Sequence, residues 1–174
     1  MSDIQGLNEL IAKYKAMEKD LEPIVTTAVR RQAEVVRGAA VKLCPVNHGE
    51  LRGSIHTMAK TEDEAIIGVV YTNKDYAPYV EFGTGPVGAA NHGGVSPEIQ
   101  MTYKTEGWWF PVSNPRDAVR YKWPTAVGVD WTIFAHTNGQ AAQPFMYPAM
   151  KQNEGRVKKG IASYLRNQLQ KYCT

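Results

Sequence analysis

Helical periodicity occupies both ends of this chain and is missing from its middle. At the amino-terminal end Ile4, Leu7, Leu10, Ile11, Tyr14, Met17 and Leu21 recur at three- and four-residue steps, which places them on one helical face. Lys13, Lys15, Glu18 and Lys19 fall mostly on the other side. Pro23 interrupts the pattern. It lacks a backbone donor and disfavours helix in Glu22 before it, yet it suits the first turn of a new helix. The expectation is two helices, the second carrying Ile24, Ala28, Val35, Val36, Ala39 and Leu43 inward and ending at about Leu43. At the far end Met146, Met150, Val157, Ile161, Leu165, Leu169 and Tyr172 keep the same period.

The middle reads differently. Cys44-Pro45 stops the second helix, and Val46-Asn47-His48-Gly49 is turn chemistry. Residues 54–60 and 65–72 read as strands around the polar reversal 61–64, the second rich in Ile and Val, and their simplest pairing is an antiparallel hairpin. Residues 73–85 form a compact aromatic segment. From 86 to 143 Gly and Pro are frequent, and all four tryptophans lie there. Strands are expected at 107–112 and 125–134, joined by loops long enough to be either functional or disordered; the aromatic load favours packing. The fold class expected is α+β: two N-terminal helices, a small mainly antiparallel β-sheet, and a C-terminal helix packed on the sheet. Residues 1–174 are expected to form a single domain with an aromatic, loop-rich elaboration at about 86–143.

Composition removes several classes. With 43% hydrophobic and 21% charged residues the chain is too apolar and too balanced in charge for wholesale disorder. At 174 residues it can bury roughly 70% of its unfolded surface without a metal or disulfide staple. Its longest apolar stretches are far shorter than the roughly 20 residues of a membrane helix. The start, Met1-Ser2-Asp3-Ile4, lacks the basic-then-apolar order of a secretory signal. Cys44 and Cys173 are then expected as reduced thiols of a protein made in a cytoplasm. Four histidines are scattered without ligand spacing, so neither a metal nor another cofactor is expected. A net charge of +3 permits weak contact with polyanions and establishes none.

No catalytic set stands out. Gly-x-Ser-x-Gly and the phosphate-binding Gly-x4-Gly-Lys-Ser/Thr loop are both missing. Gly83-Thr84-Gly85 is a fragment of a dinucleotide fingerprint without its strand and helix. Glu62, Asp63 and Glu64 suit a solvated turn better than paired acid-base work. Cys44 near His48 lacks the third group of a nucleophilic set. The expectation is that the protein is not an enzyme.

Three stretches carry the most information in combination. They are Pro-x-x-x-Gly-x-Leu-Arg-x-Ser from Pro45, then Tyr-Ala-Pro-Tyr-Val-Glu-Phe-Gly-Thr-Gly from Tyr76, then Gln-Pro-Phe-Met-Tyr-Pro-Ala from Gln143 before the last helix. In this order, after a helical start, they resemble the tail-component family of tailed bacteriophages, typified by the tail-completion or head–tail joining protein of the HK97 type. The resemblance covers nearly the whole chain and is weakest at 114–130. It implies a structural role in the virion, assembled in the host cytoplasm. That role is a ring, most simply a hexamer, at the neck or top of the tail, joining tail tube or sheath proteins to neck and head-completion proteins. It also implies that Pro45, Gly49, Leu51, Arg52 and Ser54 shape the turn between helix and sheet. Tyr79, Val80, Glu81, Phe82, Gly83 and Gly85 would shape a loop, and Pro144, Phe145 and Pro148 would seat the last helix. Cys44 stands where such proteins often carry a small residue such as Ala.

Two sets of residues keep two readings each. Tyr103, Trp108, Trp109, Trp123 and Trp131 either join contacts between subunits or fill the subunit's own core. Lys151, Arg156, Lys158, Lys159 and Arg166, against the single acid Glu154, make the last helix basic. That face is either solvated or set against an acidic partner or DNA passing through the lumen.

Overall fold

A computed structural model describes residues 6–173. The chain divides into two compact units: Lys74–Tyr147 is one, and the chain before and after it makes the other.

The first unit is built on helix α1, Leu7–Leu43, which runs without a break through Pro23. The expected pair of helices is therefore a single one. Proline deletes one backbone hydrogen bond, at about 3 kcal/mol, and the good helix formers on both sides propagate past that cost. The Thr27 hydroxyl also donates to the Pro23 carbonyl at 2.8 Å. At Pro45 the outcome is the opposite. Cys44 turns extended (φ −61°, ψ 124°) while its N–H still closes on Ala40 O at 2.8 Å.

A single turn of helix, α2 (Glu50–Gly53), leads into strands β1 (Ile55–Glu62) and β2 (Ala65–Thr72). The strands pair antiparallel from Ile55↔Thr72 to Glu62↔Ala65. Asp63 and Glu64 alone form the loop, both at positive φ (46° and 63°), as a two-residue type I′ hairpin requires. Ala28, Ala33, Val36 and Ala40 of α1 are buried beside Cys44, Leu51 and Ile55. Small side chains let strand and helix approach closely: a Cβ on Gly68 would lie 2.9 Å from Val29 Cγ1.

The last helix, α6 (Met146–Leu169), continues into a 3-10 turn at Gln170–Tyr172. It was expected on the sheet, but α1 covers the sheet, and the contacts of α6 within this unit run along α1. The Gln32 side chain fills the space beside Gly160, Arg31 lies 4.7 Å over the Tyr164 ring, and the Tyr172 hydroxyl donates to Asp20 at 2.7 Å. Cys44 is wholly buried and Cys173 exposed, with no disulfide between them.

The second unit holds short helices α3 (Ala77–Phe82) and α4 (Gly85–Ala90), strand β3 (Trp108–Pro111), helix α5 (Pro115–Tyr121), and strands β4 (Thr125–Val127) and β5 (Ile133–Thr137). The strands make a second antiparallel sheet in the order β3-β5-β4, with Ala135 of the central strand fully buried. The single strand expected at 125–134 is thus two strands. Gly128 N–H donates to Thr132 O at 2.8 Å and Trp131 N–H to Gly128 O at 3.1 Å, closing a tight turn. Asp130 fixes that turn by accepting from Thr132 N–H (3.2 Å) and its hydroxyl (2.8 Å). These bonds hold the Asp130 carboxyl below its usual range, the Thr132 hydroxyl contributing most.

Candidate functional site

The turn from Pro45 to Ser54 explains its own residue types. Gly49 precedes α2 at φ 83°, a left-handed conformation that L side chains rarely adopt. Leu51 drops into the core. Arg52 reaches back so that its guanidinium donates to Cys44 O at 2.8 Å, satisfying a carbonyl at the negative end of α1. The Ser54 hydroxyl donates to Leu51 O at 2.8 Å and lies 2.6 Å from the Thr72 hydroxyl, which ties the start of β1 to the end of β2. Pro45 is half-buried at the helix exit.

The segments 79–85 and 139–147, far apart in sequence, are one structure. Thr84 and Gln140 exchange backbone bonds at 2.9 and 3.2 Å. Gln143 N–H donates to Val80 O at 2.8 Å, and the Gln140 amide donates to Tyr79 O at 2.8 Å. Gly83 sits at φ 75°, where a Cβ would meet Ala142 N and Gln140 O at 2.7 Å. Tyr103 donates its hydroxyl to Phe82 O at 2.9 Å. Gly85 is buried against Asn138, and Pro144 is half-buried near Gly94.

At the centre of this structure is Glu81, buried although it is a carboxylate. Its Oε2 accepts from Phe145 N–H (2.7 Å) and Met146 N–H (3.0 Å), and its Oε1 from Tyr147 N–H (3.0 Å). These are the first backbone donors of α6, which a helix cannot pair internally. The fourth position of that turn is Pro148, which has no donor. One carboxylate therefore satisfies every N–H that the start of α6 leaves over, at the positive end of its dipole. Phe145 is fully buried beside it.

The aromatic residues separate into two groups. Trp123 packs edge-on to Phe110 (5.0 Å) and stacks on Tyr121 (4.8 Å), and Trp108 is half-buried with the Lys104 ammonium 5.2 Å from its ring. Trp109 is 52% exposed and Trp131 86% exposed. Trp131 also holds φ 62°, an unusual conformation for a bulky side chain.

The basic face of α6 separates as well. Lys151 and Lys158 both pair with Glu154, at 3.4 and 2.6 Å, and this holds the Glu154 carboxyl below its usual range, Lys158 contributing most. Arg156, Lys159 and Arg166 are exposed and make no ion pair among the described residues. Spacings of three and seven put them on one stripe.

Two features escaped the sequence reading. Glu34 on α1 accepts from the Thr57 hydroxyl of β1 and from Arg37 at 2.7 Å. Its carboxyl is held below the usual range, mainly by Thr57 and then by Arg37. An i,i+3 Glu-Arg pair was visible in the sequence; the strand partner was not. The amino-terminal stripe of α1, placed on one helical face by its period, carries Leu7, Leu10, Ile11, Tyr14 and Leu21 exposed. Among the described residues no group of His, Cys, Asp and Glu could hold a metal ion, and no helix is long and apolar enough to cross a membrane.

Residues 8–83 match the family described as "Bacteriophage HK97-gp10, putative tail-component". The match spans α1, the Pro45–Ser54 turn, the hairpin and α3, and it falls on the family that the sequence motifs resemble. No curated protein and no solved structure matches the chain.

Proposed function

We propose, taking the match of residues 8–83 to phage tail components as the premise, that this chain is a structural subunit of a ring at the neck or top of a phage tail. In that place it completes the tail and joins tube or sheath proteins to neck and head-completion proteins. The match carries the reading, and the way the chain spends its polar groups supports it. Glu81, Arg52, Ser54 and Gln140 are committed to backbone groups of their own fold, as a building block requires. Of the five aromatics singled out in the sequence, the exposed Trp109 and Trp131 are open to a neighbour, while Trp108, Trp123 and Tyr103 serve the unit they belong to.

Negative-stain electron microscopy of the purified protein, alone and mixed with tail tubes, tests this. Closed rings, and tubes capped at one end, are expected. A solitary particle that leaves every tube end bare refutes the reading.

A second reading has its own observation. The unpaired stripe of Arg156, Lys159 and Arg166 suits contact with the phosphates of DNA in a lumen. DNA affinity should then fall steeply as salt rises, and Arg156→Gln with Arg166→Gln should flatten that slope. Absent binding, or a flat salt response, rejects it.

A further inference from the structure

The first unit leaves two apolar surfaces uncovered. One is the start of α1, residues 7–21, where Leu7, Leu10, Ile11, Tyr14 and Leu21 are 43–64% exposed along one stripe. The other is the outer face of the hairpin. Gly68 faces α1, so its neighbours Ile67 and Val69 point away, as do their cross-strand partners Lys60 and Met58 and the next pair, Tyr71 and His56. Met58, Ile67 and Tyr71 are 38–44% exposed.

From these we infer that residues 7–21 of one copy lie on the outer hairpin face of the next copy. The inference rests on the ring reading and names the contact that closes the ring. A ring needs two different surfaces that fit each other, whereas stripe against stripe is isologous and stops at a dimer. The dimensions agree: fifteen helical residues span about 22 Å and eight strand residues about 26 Å. The stripe alone exposes apolar area on the order of several hundred Å², the size of the largest patch on an ordinary monomer, a kind of patch that is often an interaction site, and close to one partner's share of a small interface. The charges agree as well. Glu18 follows Tyr14 by one turn at the edge of the helical stripe, and Lys60, paired with Glu62 at 2.6 Å within its own strand, is the cation of the hairpin face. Lys15 borders the stripe, and Asp63 and Glu64 at the hairpin turn make no ion pair among the described residues.

Photo-crosslinking of the full chain tests this, with p-benzoylphenylalanine at position 14 and the crosslinked peptides read by mass spectrometry. Bonds between position 14 and residues 55–72 of another copy are expected. Leu10→Ala and Met58→Ala, each on an exposed side chain, should raise the subunit dissociation constant about 10- to 100-fold with unchanged circular dichroism. Rings whose crosslinks join position 14 to position 14, or to any surface other than the hairpin, overturn the inference and leave the ring reading intact. So do rings of unaltered stability in both variants. A wild-type chain that stays monomeric with and without tail tubes overturns both.

Discussion

Removing the Glu81 carboxylate strikes the start of α6 at three points at once. Glu81→Ala leaves Phe145, Met146 and Tyr147 N–H without an acceptor in a site that admits little water. Hydrogen bonds to a charged acceptor contribute about 1.5 kcal/mol or more each, so losing three should cost at least about 4.5 kcal/mol, at the upper end of single substitutions. Glu81→Gln keeps one acceptor oxygen but turns an amide NH2 toward donors, which should cost about 3 kcal/mol. The exposed Glu154→Gln, which loses only surface pairs, should cost well under 1 kcal/mol. All four tryptophans lie between Lys74 and Tyr147, so urea unfolding followed by tryptophan fluorescence reports on the unit that contains Glu81. If Glu81→Ala shifts that transition no more than Glu154→Gln does, the carboxylate is not the cap that its three short contacts imply.

Four further outcomes are expected. Gly83→Ala drives a Cβ into the backbone at Ala142 and Gln140 and should cost at least about 2 kcal/mol. Gly155→Ala, with open space around it inside α6, should stabilise by about 0.5–1 kcal/mol; thermal melts compare the two. Trp131→Gly relieves a bulky side chain at φ 62° that buries little, and should raise stability by up to about 1 kcal/mol by the same fluorescence assay. Thr57→Val removes the main cause of the low Glu34 pKa, so a carboxyl NMR titration should move Glu34 back up toward its ordinary value of 4.5. Because the folded value is the depressed one, this contribution to wild-type stability is present above 4.5 and fades as pH falls through the folded value; in Thr57→Val that acid-side loss should shrink.

The parts of the fold legible in the sequence were those set by neighbours along the chain. The hairpin follows from its β-branched run and polar reversal, and the exit from α1 follows from Cys44-Pro45. Helix α5 was equally legible and was missed. Asn114-Pro115 is a cap followed by a first-turn proline, and the Asn114 side chain does accept from Arg116 N–H at 3.1 Å. Pro23 misled because a local penalty was weighed without the long helical stretches on either side. The partners of Glu81 were out of reach for a different reason. They lie 64 to 66 positions downstream, and no periodicity connects a glutamate to the backbone of a distant helix. The stripe of residues 7–21 had the right period but nothing in it says what covers it, since periodicity fixes a face and not its neighbour.

The contrast between the two cysteines gives the chain a built-in clock. A maleimide added to the native protein has the Cys173 thiol within reach, while the Cys44 thiol is sealed at the junction of α1 with the following turn. Appearance of the second adduct over time therefore counts the openings of that junction, and its rate ranks the first unit's fluctuations without any denaturant.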